Sequence, residues 1–80
     1  MGKRFKVWPI GGYFRVFDTY GLGNRNSPTD GQQVFKAIAC FKTETEREQS
    51  FREAKAAADL FNADPKWAKI IGRQCRNRQL

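Results

Sequence analysis

The chain contains no histidine at all, so no side chain titrates near neutral pH to serve as an ordinary general base. Only two cysteines are present, Cys40 and Cys75, far apart in sequence, and without histidine a four-ligand zinc site would need a carboxylate-rich set. No metal or cofactor is expected. The cysteines read more readily as two thiols of an intracellular protein than as one disulfide, although the pairing stays open. No run approaches the ~18 apolar residues of a membrane span. The Met1–Lys6 start carries charge without an apolar segment behind it, and Lys6 stands where a myristoylation signal needs Ser or Thr. A cytoplasmic protein with no membrane association is the default expectation.

Acidic residues are also few, eight Asp and Glu against fifteen Lys and Arg, for a net charge of +7. The excess is segregated. Residues 1–42 hold seven basic residues against two Asp, residues 43–64 hold three against six acids, and residues 65–80 hold five with no acid. Basic ends flanking an acidic middle favour contact with a polyanion. The carboxylates crowd onto one predicted helix instead of converging on a pocket, which leaves no material for catalysis, and the protein is read as a non-enzyme.

What is abundant is aromatic: seven Phe, two Trp and two Tyr in 80 residues, too hydrophobic for a disordered basic tail and sized for one small domain. Residues 5–20 form a predicted β-hairpin around Gly11-Gly12, since two glycines supply the positive φ of a tight turn. In that register Ile10 faces Tyr13, Trp8 faces Arg15 and Lys6 faces Phe17, while Pro9, Val7 and Phe5 face Phe14, Val16 and Asp18. One face is then apolar and the other alternates ring with cation. That second face has the chemistry of a nucleic-acid platform, but a terminal helix bearing Trp67, Ile70 and Ile71 would also suit it as cover.

Turn-forming residues fill a long loop over 21–33, with Arg25 near its middle; Gly21-Leu22-Gly23 lacks the later residues of a nucleotide-binding signature and reads as a turn. A third strand is expected over 34–41, with Phe35, Ala37, Ala39 and Phe41 on one face. A helix is expected over 44–62, opened by a capping box of Thr43 with Glu46 or of Thr45 with Glu48, and carrying the apolar stripe Phe51, Ala54, Ala58 and Phe61. Glu44, Glu46, Glu48 and Glu53 read as dipole complement and as i,i+4 partners of Arg52 and Lys55. Asp64-Pro65 breaks it and starts a C-terminal helix over 65–76, on which Lys66, Lys69, Arg73 and Arg76 form a basic stripe opposite Trp67, Ile70 and Ile71. The expected fold is α+β, a three-stranded antiparallel sheet packed by one helix and followed by a short basic helix.

The order strand, strand, loop, strand, helix, with Tyr13-Phe14-Arg15-Val16-Phe17-Asp18, the Gly21-Leu22-Gly23-Asn24-Arg25 loop and the Ala-rich helix, resembles in layout the arm-binding domains of tyrosine recombinases. The resemblance spans residues 5–62 and implies a three-stranded sheet presented to the DNA major groove; the long loop and the basic C-terminal helix depart from that layout. The expected function is nucleic-acid binding, with DNA favoured over RNA, through Lys3, Arg4, Lys6, Trp8, Arg15, Arg25, Lys66, Lys69, Arg73 and Arg76. The alternative is a protein–protein modulator in the style of small phage or mobile-element proteins, an anti-CRISPR-like inhibitor using the same cations on an acidic host surface. Oligomeric state is left open by the sequence.

Overall fold

The computed structural model describes residues 3–23 and 25–71. Arg73 and Arg76, together with Cys75, lie outside the described residues. The chain forms β1 (Phe5–Ile10), β2 (Tyr13–Asp18), a 3-10 turn (Pro28–Asp30), β3 (Gln32–Lys36) and α1 (Glu44–Ala63). A second helix, α2, runs over 66–71. The three strands are antiparallel in the order β1-β2-β3, and α1 packs on the sheet, an α+β fold. No described helix is long and apolar enough to cross a membrane.

The hairpin follows from its two glycines. Gly11 and Gly12 take φ of 62° and 83°, the left-handed pair that matches the twist of the flanking strands, and the register sets Trp8 against Arg15 and Lys6 against Phe17. Side chains alternate across the strands, so Phe5, Phe14 and Val16 turn toward α1 and are buried.

The third strand starts and stops earlier than its composition suggests, at Gln32 and Lys36 in place of 34 and 41. A bulge lies within it, and pairing resumes beyond it to Gln32: Val16 pairs with Phe35 and Phe17 with Gln33, leaving Val34 as the extra residue, and Val34 and Phe35 both reach the core. Its end is set by the hairpin and helix, which take over the backbone groups. Ala37 N–H still donates to the Phe14 carbonyl (2.9 Å), but Ala39 N–H turns to Glu53 Oε2 (3.1 Å) and Phe41 N–H returns to the Gly12 carbonyl (2.8 Å). Glu53 is therefore a backbone acceptor for this segment, not the i,i+4 partner its position suggested; Lys55 pairs with Asp59 instead, at 2.7 Å.

The start of α1 is the Thr43–Glu46 capping box: Glu46 N–H donates to Thr43 Oγ1 (3.2 Å) and Thr43 N–H to Glu46 Oε1 (3.1 Å). The buried stripe is Ser50, Ala54, Ala57, Ala58 and Phe61. It is rotated from the expected one, because Phe51 stays half out, with an edge-on ring contact to Phe14 (5.3 Å). Alanines let the helix approach closely, and Phe61 fills the space with Phe5 (5.5 Å) and Phe35 (6.4 Å). At the break, Lys66 N–H donates to Asp64 Oδ1 (3.2 Å), which caps α2. Ala68 and Ile71 of α2 complete the helix-side core. The inward face of α2 is thus Ala68 and Ile71, while Trp67 and Ile70 are exposed.

Candidate nucleic-acid interface

With α1 and α2 on one side of the sheet, the opposite face is left to the loop between β2 and β3. The 3-10 turn packs against β1 as well as β2. β1 lies beyond β2 from β3, so the turn crosses the face that α1 does not occupy. Phe17 is the consequence: it points to that outer face, stands apart from the helix-side cluster, and is only 5% exposed. The turn holds its shape through Ser27 N–H donating to Asp30 Oδ2 (3.2 Å), with Pro28 at its first position. Gly31 lets the chain pass the sheet closely, since a Cβ there would sit 2.2 Å from the Asp18 carbonyl oxygen.

The outer face therefore divides in two. Its half near the strand bases is roofed by the loop; its half near the hairpin turn is left open by the described residues. Across the open half the register sets Trp8, Arg15 and Lys36 in one row over the three strands, with Ile10 and Tyr13 in the next. Trp8 is 44% exposed. Arg15 lies along the face: Nε donates to the Ile10 carbonyl (3.2 Å), Nη1 to Gln33 Oε1 (3.0 Å), and Nη2 points toward Gly11. Lys36 Nζ sits 4.5 Å from the Tyr13 ring centre and the Arg15 guanidinium 5.9 Å from it. Among the described residues, none of Lys6, Arg15 and Lys36 has an acidic partner; the ion pairs are Arg4–Asp18, Arg52–Glu48, Lys55–Asp59 and Lys66–Asp64.

At the roofed end a cavity of about 190 Å³ opens between the chain start and the loop, lined by Lys3, Lys6, Thr19, Tyr20, Gly23 and Asn26, among others. Arg4 borders it but is already committed. Its guanidinium grips Asp18 with two bonds, Nε to Oδ1 (2.8 Å) and Nη2 to Oδ2 (2.9 Å), and stacks on Phe5 (4.9 Å) and Tyr20 (4.7 Å). The hydrogen bond from Arg4 holds the Asp18 carboxyl below the usual carboxylate range, against some opposing desolvation, and the Arg4 pKa rises for the same reason.

The sequence-derived residues thus fall into separate groups. Lys3 and Lys6 line the cavity, Trp8 and Arg15 hold the open half, and Arg4 is a neutralised scaffold between them. Arg25 is exposed on the roofing loop and is not part of the cavity lining. Lys66 and Lys69 belong to the helix layer, across the sheet from Trp8, and Lys66 contacts Asp64 (3.4 Å) and the Trp67 ring (5.7 Å). The cover expected from Trp67 and Ile70 is absent from the outer face, because α2 docks on the other side through Ala68 and Ile71. Lys36 and Tyr20 are the residues that sequence reasoning left out. The bulge places Lys36 beside Arg15, and the loop path brings Tyr20 onto Arg4; neither has a local sequence signal.

Among the described residues no group of three or more Cys, Asp or Glu gathers where it could hold a metal ion. No family model, curated protein or solved structure matches this chain.

Proposed function

We propose that this is a small non-catalytic nucleic-acid-binding protein that uses the outer face of its sheet. The reading is supported above all by the row Trp8, Arg15 and Lys36, a ring and two cations free of acidic partners among the described residues, on a face that the helices leave uncovered. Cations neutralise phosphates and an accessible ring stacks on a base or sugar. Lys6 and Lys3 extend the positive surface toward the cavity. The test is a titration of labelled oligonucleotides at low salt, repeated with Arg15→Gln/Lys36→Gln. Binding that weakens steeply with salt, with a shallower dependence in the double variant, is the expected result; absence of binding to any single strand or duplex removes the proposal.

A second reading, a protein–protein modulator, draws on Trp67 and Ile70, exposed on α2 beside Lys66 and Lys69. An apolar anchor ringed by cations suits an acidic protein surface. It requires complexes that survive nuclease treatment and are lost with Trp67→Ala.

A further inference from the structure

We infer that the nucleic acid taken by the outer face is single-stranded, lying from Trp8 across Lys6 into the cavity beside Tyr20; this rests on the function proposed above. Two rings stand exposed to a ligand. Trp8 is 44% exposed on the open half, and Tyr20, 78% exposed, stands at the cavity with the Arg4 guanidinium against one side of its ring. Duplex bases are already stacked on both sides and present only their edges in the grooves, so ring faces find partners in unpaired bases.

Lys6 and Trp8 alternate onto the same face of β1, about 7 Å apart along the strand, and Lys6 also lines the cavity at which Tyr20 stands. Bases can stack on the two rings while Lys6 meets the phosphates between them. Lys3, Thr19 and Asn26 then line the space in which the chain continues. Arg4 is a positioning residue in this scheme, since Asp18 already occupies its guanidinium.

The same geometry disfavours a duplex. A major groove about 12 Å wide admits a helix or a two-stranded ribbon. Here the loop carrying the 3-10 turn stands on the very face that would have to enter. That wall borders a path for one strand.

Fluorescence anisotropy with the full chain at low salt compares a labelled oligo-dT, an oligo-rU and a mixed-sequence duplex of equal length. We expect the single strands to bind at least about tenfold more tightly than the duplex. Trp8→Ala and Tyr20→Ala should each weaken single-strand binding by about five- to a hundredfold, with Trp8→Phe retaining most of it. Lys6→Gln should reduce the salt slope for single strands by about 0.7. In a Trp67→Phe background, Trp8 emission should be quenched on adding oligo-dT. Equal or tighter duplex binding, or unchanged affinity in folded Trp8→Ala, overturns the single-strand inference and leaves the proposed function standing; no binding to any of the probes overturns both.

Discussion

Asn62, in the last turn of α1, binds both backbone polar groups of Phe5: the Phe5 N–H donates to Oδ1 (2.9 Å) and Nδ2 donates to the Phe5 carbonyl (3.0 Å). Because Thr19 N–H donates to the Arg4 carbonyl (3.0 Å), the backbone polar groups of Arg4 and its alternate residues face β2, and those of Phe5, Val7 and Pro9 face outward from the sheet edge. Pro9 has no N–H to offer. A side-chain amide in place of a neighbouring strand and a proline leave little of this edge able to pair with another chain.

Asn62→Ala removes two part-buried hydrogen bonds and is expected to cost about 1–3 kcal/mol in chemical denaturation. Asn62→Asp keeps the acceptor for Phe5 N–H but has no donor for its carbonyl, so it should not restore the wild-type midpoint. Loss of more than half of the Phe5 amide protection in Asn62→Ala, but not in Asn62→Asp, would show the contact directly.

Ser50 is fully buried and accepts the Phe14 N–H at 3.1 Å. Continuing the β2–β3 register past Arg15 and Lys36 would bring the Ala37 carbonyl to this donor, but the chain leaves the ladder there and the hydroxyl takes its place. Ser50→Ala would leave a buried N–H without a partner, an expected loss of about 1–3 kcal/mol. Hydrogen exchange at Phe14 should accelerate more than at Val16, which sits on the intact ladder.

The Arg4–Asp18 pair makes stability depend on acid. The folded carboxyl titrates below its unfolded value of about 3.9, so its contribution is fully present above that range and is lost as the pH falls through the folded value. Wild type should therefore lose stability below about pH 5 more steeply than Asp18→Asn, and the gap between them should close at the acid end. Asp59 is also lowered, by Lys55, at an exposed pair, so the difference between the two proteins, not either curve alone, reports Asp18. The Arg4 side chain is 40% exposed, and high salt should shrink the difference.

Local chemistry made much of the fold legible. Gly11-Gly12 take the positive φ of a tight hairpin turn without strain, and alternation then placed Trp8 against Arg15. Thr43 with Glu46, and Asp64 before Pro65, mark helix starts because their side chains satisfy backbone groups within a few residues. The contacts that eluded sequence reasoning all join distant segments. Ser50 is a helix-interior serine whose value lies in a β2 donor, Glu53 an apparent surface acid spent on Ala39, and Phe51 is turned aside by one helical step.

The candidate surface divides along the same line. The amino-acid order by itself determined a hairpin with one apolar face and one face of rings and cations, since side-chain alternation needs only the strand and its turn. Tertiary structure decided which part of that second face meets solvent. The helices chose the apolar side, where Ala54, Ala58 and Ala68 allow close packing, and the β2–β3 loop folded over Phe17 while leaving Trp8, Arg15 and Lys36 open. It also withdrew Arg4 from the cationic set by giving it Asp18, since burial and partnership depend on segments that meet only when the chain has folded.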